Sequence, residues 1–90
     1  MNIAKILAHR IGWDFEALSS QSRTAYLVSQ RRCLMIVLKD LGHSQTEIGK
    51  MLNRDHSSVA HMISDKYFLL TPEEIRNIDK LKSIADDYNL

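Results

Sequence analysis

Ninety residues with 44% hydrophobic and 26% charged content lead to the expectation of one globular domain, residues 1 to 90, near the lower end of the size at which a core stabilises a fold unaided. Three glycines, one proline and no repeat or low-complexity tract suit packed helices better than turn-rich sheets, and the longest apolar run, Cys33 to Leu38, falls far short of the ~18 residues of a membrane span. The formal charge of +1 is unevenly placed, with nine Lys/Arg against six Asp/Glu in residues 1 to 66 and three against five in 67 to 90, a basic body with an acidic end. Lys5, His9 and Arg10 stand where a signal peptide keeps its apolar region, so a cytoplasmic protein with no membrane partner is expected. In that compartment Cys33, without a partner in the chain, reads as a packing residue and not a nucleophile.

Ile3, Ile6, Leu7 and Ile11 recur at helical spacing after Asn2, a good N-cap, and Gly12 follows as a stop, which predicts a first helix over 3 to 11. Asp14 caps a short second helix, Phe15 to Ser19, and the polar stretch Ser19 to Arg23 reads as a loop. From Thr24 to Leu41 the apolar residues, Tyr26 and Leu27 through Leu38 and Leu41, spread around most of a helix, the mark of a central helix buried on several sides. Ser44-Gln45-Thr46-Glu47 has the form of a capping box and opens a helix from Gln45 to Leu52, which Asn53 can end in a left-handed conformation. Asp55 is placed to cap the next helix, expected to run to about Leu70. Thr71-Pro72-Glu73-Glu74 then starts a last helix with Ile75, Ile78, Leu81, Ala85 and Tyr88 as its apolar stripe. The fold class is therefore all-α, with five or six helices.

Gln45 to Ile63 contains a short helix, a tight turn and a second helix, the layout of a helix-turn-helix. With Gln45 counted as first, Ile48 is fourth, Gly49 fifth, Leu52 eighth, Asn53 ninth, Val59 fifteenth and Met62 eighteenth. The apolar members pack the two helices together, Gly49 lets the second backbone approach, and Asn53 makes the turn. A helix that enters the major groove contacts bases through its N-terminal residues, and Arg54, Asp55, His56, Ser57, Ser58 and His61 hold that position. Arginine grips guanine or phosphate, aspartate accepts from cytosine, and serine and histidine donate or accept. The plainer alternative makes Asp55 and Ser58 a cap and its partner and leaves the histidines as solvated surface. The five-residue spacing of His56 and His61 turns them apart, which excludes a metal site, and Asp55 and His56 are not expected to form a catalytic pair because neighbours in a helix do not face each other.

The segment TEIGKMLNRDHSSVAHMI resembles the signature of the C-terminal DNA-binding domain of the bacterial replication initiator DnaA, in which an EIG helix precedes a GGRDHTTV turn and recognition helix. The likeness extends from about Ile3 to about Ile84. It implies a recognition helix that reads an A/T-rich site with a few fixed G·C pairs, with the six residues above as its major-groove set. It also implies a minor-groove role for Arg23 and a phosphate contact for Arg31, and Lys50 is read as a further cation holding the backbone. Departures are specific. Serines replace two threonines, removing methyls that touch thymine; Asn53 replaces two glycines; and Ser64 and Asp65 stand where basic residues are usual.

Three scattered glycines cannot build the phosphate loop of a nucleotide-binding initiator. The expected protein is therefore no enzyme, without catalytic residues, metal, cofactor or small-molecule substrate, and is either a free-standing relative or a fragment beginning at an added Met1. Double-stranded DNA is the expected partner, with replication-initiation proteins as further ones. The competing expectation is a helical interaction module of the replication machinery that binds protein through its last helix and no DNA.

Overall fold

Capping chemistry sets the helix boundaries. The structure, a computed structural model, describes residues 2–64 and 70–90, and the regular structure among them is all helical. Helix α1 (Ile3–Ile11) starts where the Asn2 side chain accepts from the Lys5 amide at 3.1 Å, and ends at Gly12, whose φ of 89° is a conformation that glycine adopts without steric strain. The Asp14 carboxylate accepts from the Glu16 and Ala17 amides and opens α2 (Phe15–Ser19). Then come α3 (Ala25–Asp40), α4 (Gln45–Leu52), α5 (His56–Ser64) and α6 (Pro72–Asp87). Capping boxes, Ser44 with Glu47 and Thr71 with Glu74, open α4 and α6, and Asn53 closes α4 at φ 54° and ψ 48°. The continuation of the fifth helix toward Leu70 that the sequence suggested falls on 65–69, outside the described residues.

Helix α3 is the centre of the molecule and packs against each of the other five. It buries Leu27, Cys33, Leu34, Met35, Val37 and Leu38, and receives Leu7 from α1, Leu18 from α2, Ile48 and Leu52 from α4, Val59 from α5 and Leu81 from α6. Each fully buried Leu, Ile or Val contributes about 1.5–3 kcal/mol relative to exposure, so this shared core is what holds α4 and α5 in place.

Three apolar residues are not where periodicity put them. Tyr26 is 62% exposed, Ile75 48% and Tyr88 47%. The inward position in the first turn of α6 belongs to Glu74, which is 3% exposed. One of its oxygens accepts from Ser29 Oγ at 2.8 Å and Arg32 Nη1 at 3.3 Å, and the other from the Thr71 amide at 3.0 Å. Burial by itself pushes this carboxyl upward, but the Thr71 amide, the Ser29 hydroxyl and the Arg32 guanidinium outweigh it and hold Glu74 below its ordinary value. Tyr88 lies just past α6, and its ring sits under Arg10, with the guanidinium carbon 4.5 Å from the ring centre.

Candidate nucleic-acid interface

The turn between α4 and α5 is built on the missing side chain of Gly49. The Arg54 amide donates to the Gly49 carbonyl at 2.7 Å, and a Cβ at Gly49 would collide with the Arg54 carbonyl oxygen, a backbone atom that has no room to retreat. Ile48, Leu52 and Val59 are fully buried across the contact, and Met62, expected beside them, is half-buried and packs on the core's edge. With Val59 inward, helical geometry turns the remaining N-terminal face of α5 outward, and Asp55, His56, Ser57, Ser58 and His61 are all exposed. Asp55 occupies the N-cap position, its carbonyl accepting from the Val59 amide at 3.2 Å. Because Asp55 lies outside the helix, its carboxylate reaches the next side chain: Oδ1 is 3.5 Å from His56 Nδ1, both groups being exposed.

The arginines converge on the same place. Arg23 is exposed on the loop before α3, and Arg54, half-buried, donates from Nη1 to the Asn53 carbonyl at 3.0 Å and from Nη2 to the Ser20 carbonyl. Burial lowers the Arg54 pKa from its ordinary value, and the nearby charge of Arg23 lowers it further. An open cleft of about 650 Å³ runs between this loop and α5, lined by Arg23, Arg31, Arg54, Ser57, Ser58 and His61. Lys50 and His56 border a second concavity on the other side of the turn. The expected site residues thus lie around this turn and cleft, and all but one of them reach solvent.

Arg31 is the exception. It is 3% exposed, its Nε donating to the Leu18 carbonyl at 2.6 Å and its Nη2 to the Ala17 and Ser20 carbonyls, each at 3.2 Å. A guanidinium enclosed in this way is not presented to a phosphate, so the contact implied by resemblance does not fit the geometry. The signal was in the spacing: Arg31 falls four residues after Leu27 and three before Leu34, on the core face of α3. Sequence reasoning also missed the Asn53 side chain, whose Nδ2 donates to the Ser19 carbonyl at 3.1 Å.

Among the described residues no group of three or more His, Cys, Asp or Glu is placed to hold a metal, and no helix is long and apolar enough to cross a membrane. Cys33 is buried in the core, where burial first and the Glu74 charge second push its thiol up to about 12, so it is a protonated packing group at neutral pH.

Two helices locked at a glycine contact, the second exposing a polar N-terminal face flanked by arginines, define a helix-turn-helix domain of the DNA-binding class. The comparison with known families agrees: the family model described as the bacterial dnaA protein helix-turn-helix matches residues 1–66, and the chain belongs to that family. The match spans α1 to α5 and ends before α6. No curated protein and no solved structure gives a significant match.

Proposed function

We propose that the protein recognises duplex DNA sequence-specifically, with the N-terminal half of α5 in the major groove of a DnaA-box-like site, and acts at the nucleoid in the control of replication initiation or of transcription. The observation that carries this reading is the outward set of Asp55, His56, Ser57, Ser58 and His61 on a helix anchored by Val59 and flanked by Arg23 and Arg54. Short directional donors and acceptors suit base edges, Arg54 suits guanine or phosphate, and Arg23 on its loop suits the adjacent minor groove. Lys50, exposed beside the turn, suits the backbone.

An electrophoretic shift comparing a duplex that carries an initiator-type site with a permuted duplex of equal composition tests the proposal. Preferential retention of the first is expected. Equal or absent retention returns the reading to a protein-binding module, for which half-exposed Ile75 and Tyr88 on the last helical segment are the available apolar contacts, and for which replication-initiation proteins are the partners to try.

A further inference from the structure

Five hydrogen bonds from two other parts of the chain end on the last carbonyls of α2 and on that of Ser20, its C-cap. Arg31 supplies three, to Ala17, Leu18 and Ser20; Asn53 supplies one, to Ser19; and Arg54 supplies one, to Ser20. The last carbonyls of a helix lack intrahelical partners and carry the negative end of its dipole, so cationic donors are favoured there. A five-residue helix is also too short to persist alone, so its end stays where these donors hold it. The Ser20 carbonyl is shared by Arg31 and Arg54, and it lies at the start of the loop that carries Arg23. Arg31 of α3 and Arg54 of the turn before α5 therefore meet at one carbonyl, with Asn53 bonded to the residue before it, so the end of α2 and the start of the Arg23 loop are tied to both.

We infer that Arg31, assisted by Asn53, is a positioning residue that fixes the spacing between the Arg23 loop and the N-terminus of the recognition helix, so that minor-groove and major-groove contacts fall in register. The inference rests on the DNA-binding reading for its consequence but on the hydrogen bonds alone for its geometry. Of the five donor hydrogens on a guanidinium, the single one on Nε and the two on Nη2 are engaged, leaving only those on Nη1. Burial, with the charge of Arg54 in second place, lowers the Arg31 pKa, as for a group withdrawn from solvent. Lysine cannot reproduce the planar fork that spans three carbonyls.

The test uses Arg31→Met, Arg31→Lys and Asn53→Gly in the full chain. Asn53→Gly keeps the turn, because glycine accepts the φ of 54° without strain, and removes only the tie to Ser19. Fluorescence anisotropy with preferred and unrelated duplexes over a salt series, and amide NMR spectra of the free proteins, are the readouts. Both Arg31 variants are expected to weaken the preferred site by about tenfold or more while sparing unrelated duplex, with the slope of log affinity against log salt unchanged. Asn53→Gly shifts the ratio in the same direction by less. In all three, amide signals of Ser22 to Thr24 and of Asp55 to Ser57 move together. A slope that falls by about one in Arg31→Met but not in Arg31→Lys, with the specificity ratio intact, identifies a phosphate contact and overturns the inference. So do loop and α5 amides that stay fixed in Asn53→Gly, a result available even if Arg31→Met does not fold. A wild-type protein that binds no duplex overturns the DNA-binding reading, while the amide shifts still decide the positioning role.

Discussion

At the scale of single residues, the proposed groove face separates side chains expected to specify from those expected to hold. His56 and His61 are exposed, lie on α5, and have no role in the core, so their removal leaves packing intact. Each replaced by Ala is expected to lower affinity for the preferred site by ~1–3 kcal/mol and affinity for unrelated duplex much less, as measured by competition anisotropy. If both variants bind every duplex like the wild type, the groove assignment is wrong. The exposed placement of these histidines on α5 was legible because polar residues that bond in fixed directions, crowded at the start of an amphipathic helix, have few uses in a core. Arg31 was misread. Its phosphate contact came from the resemblance although its spacing from Leu27 and Leu34 put it on the core face, and the partners that satisfy it there, the Ala17, Leu18 and Ser20 carbonyls 11 to 14 residues away in sequence, are ones that no local pattern displays.

At the scale of elements, caps and glycines made the helix ends readable. Asn2, Asp14, Ser44 and Thr71 each accept from a backbone amide in the first turn of a helix, and Gly12 and Asn53 take the left-handed conformations that end two of them. Gly49 makes the sharpest element-level prediction: Gly49→Ala forces α5 away from α4, costing about 1–3 kcal/mol in denaturant unfolding and disturbing specific binding beyond that loss. A variant as stable as the wild type would mean that the turn is looser than its geometry. What periodicity could not show was Glu74. A capping box accounts for an acid at that position without requiring burial, and only its bonds to Ser29 and Arg32 of α3 make it a link between elements. Its folded pKa is depressed, so its contribution is complete above the ordinary value of 4.5 and is lost as pH falls through the lower folded value. Glu74→Gln should therefore destabilise by about 1.5–3 kcal/mol at pH 7, and thermal melts should show the gap to wild type narrowing by pH 3. A gap of constant size across that range would assign the loss to shape and not to charge.

At the scale of the whole molecule, charge is sorted by helix. Helix α6 packs on α1 and α3 and makes no contact with α4 or α5 among the described residues, and its exposed surface carries Glu73, Asp79, Asp86 and Asp87 against Arg76, Lys80 and Lys82, a small acidic excess. The uneven charge along the sequence therefore becomes a separation in space, legible beforehand as a pattern but not as a distance, because chain order alone does not say which helices touch. Among the described residues at the turn and cleft, the cations available for DNA on the proposed reading are Arg23, Lys50 and Arg54, since Arg31 is withdrawn. Each phosphate neutralised on B-form DNA adds about 0.9 to the slope of log affinity against log salt, so three such contacts lead to a shallow slope of about −3. Arg23→Ala and Lys50→Ala should each bring it about one nearer zero, weakening preferred and unrelated duplexes alike, and Arg31→Met should leave it unchanged. Anisotropy titrations between 50 and 200 mM salt, on the order used for such slopes, measure all four proteins. A wild-type slope steeper than about −5 would require phosphate contacts from cations beyond the cleft, and would move the interface onto helices that this arrangement turns away from DNA.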